Sequence, residues 1–153
     1  LKEDKAMNAT QNKGLLIIVL GMVLLMFASA GVSAAADTSL TKSPPGGAFK
    51  KVSALVSPPD YIPGLGTLYV DPATLPLGPF LGYDRQGRLV NITYMIPLAD
   101  LTKEKAFTGL RAKVSGLPVD HTDVVFNPGH PGVPEAHYHI TLWLVDTAAQ
   151  KKM

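Results

Sequence analysis

Four histidines, His121, His130, His137 and His139, carry most of the chemical potential of this sequence. Three of them fall within ten positions, and His121 precedes them by nine. His137 and His139 are two residues apart, so on a strand they project from the same face, about 7 Å apart. His121 and Asp123 have the same relation. Neutral imidazoles with a nearby carboxylate suit Zn²⁺, Cu²⁺, Ni²⁺ or Fe²⁺, and two or three convergent histidines make an ordinary site. The candidate ligands are His130, His137, His139 and His121, with zinc as the representative metal. Asp123, Glu135 and Trp143 are candidates for supporting or ligand contacts. An open coordination position on such an ion could activate water for hydrolysis. The competing reading is a polar network, in which the rings bond loop carbonyls or His139 pairs with Asp123.

The elements that must position these residues are strands. Residues 121–126, HTDVVF, and 136–145, AHYHITLWLV, alternate with period two. In the second, Tyr138, Ile140, Leu142 and Leu144 form an apolar face, with His137, His139, Thr141 and Trp143 opposite. Pairing the two strands with Phe126 across from Ala136 sets Asp123 against His139 and His121 against Thr141. Slips of two residues preserve the faces. Between the strands, NPGHPGVPE at 127–135 is a proline-stiffened loop that hangs His130 and Glu135 above the polar face.

Upstream, residues 80–83 and 88–96 read as a hairpin closed by DRQG, with Gly87 supplying the positive φ. Val90, Ile92, Tyr94 and Ile96 form the more apolar side of its second strand. Residues 49–56 and 67–70 read as two further strands, and Asp100 as the cap of a short helix, LTKEKAF. The fold class is mainly β, a compact antiparallel sandwich or barrel-like domain with one short helix, preceded by a helical signal peptide. Tyr61, Tyr69, Tyr83, Tyr94 and Tyr138 read as core or interface, and Trp143 as a wall for the histidine face.

Residues 14–36 carry no charge, begin with the apolar run LLIIVLGMVLLMFA and end in small residues; Lys2, Lys5 and Lys13 precede them. That order is a secretory signal, with cleavage sites at VSA, 32–34, and AAA, 34–36. The dense core of the run is shorter than the roughly 20 residues that span a bilayer. The expected layout is a signal peptide at 1–36, a disordered linker at 37–48, one β-rich domain at 49–146 and a polar, frayed tail at 147–153. The destination is secreted, periplasmic or on the exterior of the cell envelope, with membrane contact only through an uncleaved leader.

Composition removes several classes. The chain has 153 residues, 14 Lys plus Arg and 12 Asp plus Glu, for a formal charge of +2. Nucleic-acid binding needs a basic stripe that is absent here. With no cysteine there is no disulfide framework, thiolate site or lipobox anchor, so stability rests on packing, metal or assembly. No G-x-S-x-G, P-loop or dinucleotide fingerprint occurs, and Ser53, Ser57 and Ser115 lack triad partners. No spacing singles out a carboxylate pair. Asn91-Ile92-Thr93 is a formal glycosylation sequon.

The strings YIPGLGTLYVDPATLPLGPFLGY, GRLVNITYMIPLADL and LPVDHTDVVFNPGHPGVPEAHYHITLWLV together resemble a family of exported prokaryotic proteins of unknown function. A representative of that family is under extracytoplasmic sigma-factor control in a thermophile. The resemblance spans residues 60–145. It implies a β-rich domain that assembles into a homo-oligomer, and no established enzymatic activity. Within the closing hairpin, His121, His130 and His137 match the family's histidine pattern. Leu68 and Thr141 stand where relatives carry histidines, and His139 replaces an acidic residue.

Two function classes follow. One is an exported non-enzymatic β-domain whose partner is itself and which binds a small ligand or envelope component. The other is a histidine-site metal-binding protein or metal-dependent hydrolase.

Overall fold

The computed structural model describes residues 38–112, 114 and 116–153; the leader expected at 1–36 lies outside them. No helix among the described residues is long and apolar enough to cross a membrane. Six strands form one antiparallel sheet: β1 (Lys50–Lys51), β2 (Thr67–Val70), β3 (Phe80–Tyr83), β4 (Leu89–Pro97), β5 (His121–Asn127) and β6 (His137–Trp143). Their spatial order is β1-β2-β3-β4-β6-β5. The protein is therefore mainly β and antiparallel, as the alternation predicts. Among the described residues, loops rather than a second sheet cover both faces of this one.

The β3–β4 hairpin is closed by Asp84. One carboxylate oxygen accepts from the Gln86 and Arg88 main-chain nitrogens, both at 2.9 Å, while the other receives Arg88 Nε at 2.7 Å. Gly87 sits at φ +73°, as the turn requires. Strand β4 is buried on both faces because it lies in the middle of the sheet. Ile92, Tyr94 and Ile96 point to the larger core with Leu81, Tyr69 and Tyr83, and Ile140 and Leu142 of β6 pack against it. Residues Phe107, Ala112 and Val114 cover this side. On the opposite face Met95 joins Val70 and Phe80, with Val52 and Val133 packed against them.

Asn91 is fully buried in β4, and its Nδ2 donates to the Leu65 carbonyl at 2.8 Å. The sequon is thus closed to a glycan in the folded state. A Cβ on Gly82 would overlap the Asn91 side-chain amide, so glycine is needed where these two strands meet.

Several expectations need correction. The part of the stretch expected at 37–48 that is described, 38–48, is not a disordered linker. Thr38–Thr41 forms a 3₁₀ turn, Leu40 is only 3% exposed, and its carbonyl accepts from Tyr83 Oη at 2.8 Å. Lys42 then bridges to Arg88. One well-placed leucine anchors a segment whose average composition reads as a stem. The strand expected at 49–56 shrinks to β1 and turns into a 3₁₀ helix at Val52–Ala54. The short helix is α1 (Leu98–Leu101), with Pro97 rather than Asp100 at its N-cap. The tail does not fray: Asp146 Oδ1 accepts from the Ala149 nitrogen at 2.7 Å and starts a second helix, α2 (Thr147–Gln150).

Candidate metal centre

The β5–β6 register is slipped by two from the one expected. Phe126 lies opposite Tyr138, Asp123 opposite Thr141 and His121 opposite Trp143. The faces survive the slip, because the side-chain period is two. His137 and His139 share a face at the N-terminal end of β6, beside Pro97 and Met95 of β4.

The loop at 128–136 folds His130 back over that end. Asn127 Oδ1 accepts from the Gly129 nitrogen at 2.9 Å. Gly129, at φ +125°, presses on Pro134, and a Cβ there would overlap the Pro134 carbonyl oxygen. His130 and Val133 then exchange two main-chain hydrogen bonds, both 2.9 Å, across Pro131-Gly132. Proline followed by a positive-φ glycine is the pair a type II turn favours.

The result is a three-imidazole cluster. One ligand nitrogen from each of His130, His137 and His139 can be chosen so that no two are more than 4.8 Å apart. The ring centroids are 4.8 to 5.6 Å apart. His137, 1% exposed, directs Nδ1 to the Glu135 carbonyl at 2.7 Å. His130 directs Nδ1 to the Pro131 carbonyl at 3.1 Å. Both carbonyls can only accept, so both rings carry the proton on Nδ1 and keep the Nε2 lone pair available. This is the outer-shell arrangement that fixes a metal-binding tautomer. His137 Nε2 and His139 Nε2 are 2.9 Å apart. Two nitrogens bound at about 2.1 Å to one ion lie about 3.0 to 3.4 Å apart for right-angle to tetrahedral geometry. The observed spacing is close to that bite, and a ring nitrogen of His130 lies within 4.8 Å of one from each of the other two. Without an ion, His139 Nε2–H donates to His137 Nε2.

His139 is pushed down to about 4, first by burial, then by His137 and His130. It is neutral at pH 7, the form that ligates.

The other candidates lie elsewhere. His121 is four residues along β5 from the position opposite His139, about 13 Å away. It stacks on Trp143 at 6.0 Å between centroids. Its Nδ1 contacts Asp120 at 2.8 Å and its Nε2 contacts Gln150 at 3.2 Å. The hydrogen bond to Asp120 raises its pKa most, with further contributions from Gln150 and Asp123. Asp123 accepts from Trp143 Nε1 at 2.8 Å and Gln150 Nε2 at 3.1 Å, not from His139. Trp143 thus belongs to this second network and does not wall the histidine centre. Glu135 contributes its main-chain carbonyl, while its side chain is exposed. Sequence reasoning misses Met95, which the β4–β6 register sets beside His139, and Gln150, assigned to a fraying tail. Met95 was visible only as a member of the less apolar parity of β4.

Fold and site define a small antiparallel β-domain with a three-histidine cluster at one end of a central strand. Among solved structures, the chain is similar to the crystal structure of hypothetical protein TTHB210 from Thermus thermophilus. The two are 46% identical, the match covers 61% of this chain and 90% of that one, and the TM-score is 0.57. The chain belongs to the same family as that protein. No family model and no curated protein matches the chain.

Proposed function

We propose that the protein is a non-enzymatic, exported β-domain that holds one transition-metal ion at His130, His137 and His139. The observation that carries this reading is the convergence of the three imidazoles, two of them aimed by main-chain carbonyls and the third kept neutral. The cluster differs from surface histidines in that its central member is buried and its tautomer is fixed. Hydrolysis by metal-activated water is assisted by a general base placed near the ion. The cluster contains three histidines and, among the described residues, no carboxylate, which favours metal holding over hydrolysis.

Export rests on the leader composition. Self-association is supported by β5, an edge strand on which Val124, Val125 and Phe126 are 62%, 56% and 49% exposed. Long apolar edge strands pair with other chains unless blocked.

The test is elemental analysis in line with size exclusion on full-length chain purified without a polyhistidine tag. One equivalent of a transition metal per chain is expected, lost in His137→Ala and His139→Ala and retained in His121→Ala. Absence of metal after incubation with zinc or copper, with the fold intact, overturns the proposal.

A further inference from the structure

Met95 is the Cα partner of His139 in the β4–β6 ladder, so the two side chains leave the sheet on the same face. Directly opposed residues have Cβ atoms about 4.5 to 5.5 Å apart, well within the reach of a methionine thioether. Met95 is buried in a cluster with Val70 and Phe80, and Val133 packs against that cluster. Val133 is the residue that closes the two-bond turn on His130. Met95 thus neighbours His139 on the ladder, and the cluster to which it belongs meets the loop that carries His130. On the other side of His139, β5 contributes Val125.

Charge is the second consideration. The cluster consists of three imidazoles, which bring no negative charge to an ion. The Glu135 side chain is exposed, and Asp123 is engaged with Trp143 and Gln150. A divalent ion on three imidazoles keeps its full +2 beside Met95 and Val133, unless it also binds an anion. A monovalent ion leaves +1, and the cost of uncompensated charge in an apolar setting rises steeply with charge. Thioether sulfur is a soft ligand that selects Cu(I), whereas carboxylate and water suit harder ions.

We infer that the centre selects copper(I) over zinc(II), with the Met95 thioether as its fourth ligand beside His130, His137 and His139. This rests on the reading of the cluster as a metal centre and adds the identity of the ion and one ligand. It also gives the cation's charge a structural reason. The site offers four neutral donors, three borderline and one soft, and, among the described residues, no acidic group.

The test uses the full chain without a tag, under anaerobic conditions. Copper(I) is offered in competition with bicinchoninate, and zinc in competition with a chromophoric zinc chelator. Wild type is expected to bind one copper(I) per chain at least tenfold more tightly than zinc. Met95→Leu, a swap that preserves volume, is expected to weaken copper(I) at least tenfold and zinc less than twofold. X-ray absorption at the copper edge should show a sulfur neighbour beside nitrogen neighbours in wild type, and no sulfur in the variant. Zinc held as tightly as copper(I), or a Met95→Leu change equal for both ions or absent for both, removes this inference and leaves a metal centre standing. Failure of wild type to bind either ion overturns the metal centre itself. Should Met95→Leu not fold, a wild-type copper spectrum without sulfur decides against Met95.

Discussion

Each histidine in this chain has a different chemistry because each has a different neighbour. His137 is buried with Nδ1 tied to the Glu135 carbonyl. Truncating it leaves a cavity and an unsatisfied acceptor, so His137→Ala should cost about 2 to 4 kcal/mol even in chelator. His130, half-buried on its loop, should cost less than about 1 kcal/mol in the same substitution. Urea midpoints of the two variants in EDTA check the ranking; equal midpoints would show that His137 is not braced as described. His139 adds a pH dependence. Its folded pKa is about 4, below the ordinary 6.5. The unfolded chain therefore takes up a proton first as the solution is acidified. The stabilisation is complete above about pH 6.5 and is lost as pH falls toward 4. Allowing for partial solvation, roughly 1 to 2 kcal/mol should disappear between pH 7 and pH 4.5. His139→Gln should flatten that slope when unfolding is measured at several pH values in chelator. At His121 the sign is reversed. Its pKa is raised, so its contribution is present below the unfolded value and fades as pH climbs through the folded one.

At the scale of elements, the parity of strands was legible and their register was not. The alternation in 136–145 assigns every residue of β6 to its correct face, because period two is a local property of the chain. The two-residue slip against β5 depends instead on how the connecting loop closes, and Gly129 against Pro134 is a contact that no local pattern announces. The same limit hid Leu40 and α2. Both are held by distant partners: the Tyr83 hydroxyl and the larger core for Leu40, and the contacts of Gln150 with Asp123 and His121 for α2. The site was legible in part for the same reason: His137 and His139 follow from spacing, and His130 from the loop above them. His121 and Trp143 were grouped with the cluster because parity places residues on a face without placing them along it. The second network invites its own experiment. Asp123 accepts from both Trp143 Nε1 and Gln150 Nε2. Asp123→Ala should strand a buried indole N–H and release α2, at about 1 to 3 kcal/mol. Trp143 is the chain's one tryptophan, so its fluorescence reads this site alone. An unchanged spectrum and unfolding midpoint would mean that the carboxylate is not the indole's working partner.

For the molecule as a whole, the sheet ends asymmetrically. At one edge β1 is two residues long, a length that offers little to a pairing partner. At the other, β5 is seven residues long and carries three exposed apolar side chains. Beside it Ile96, Leu101, Phe107, Val124, Tyr138 and Ile140 line an open apolar groove of about 470 Å³. A chain without cysteine has no cross-links to compensate for a modest core, and covering this edge would bury apolar area at about 25 cal/mol per Å². Val124 is the most exposed of the three and lies opposite Ile140, on the face away from the histidines. Val124→Lys places a charge on that edge while removing few contacts within the chain. It should dissociate the assembly in analytical ultracentrifugation and change the unfolding midpoint of the dissociated chain by less than about 0.5 kcal/mol. Metal content per chain should be unaltered, since Val124 and the histidine cluster occupy opposite faces of the sheet. An assembly of unchanged mass would move the contact surface away from β5. A wild-type chain that sediments as a monomer would remove self-association from the proposal, and the metal centre would then have to be explained within a single domain.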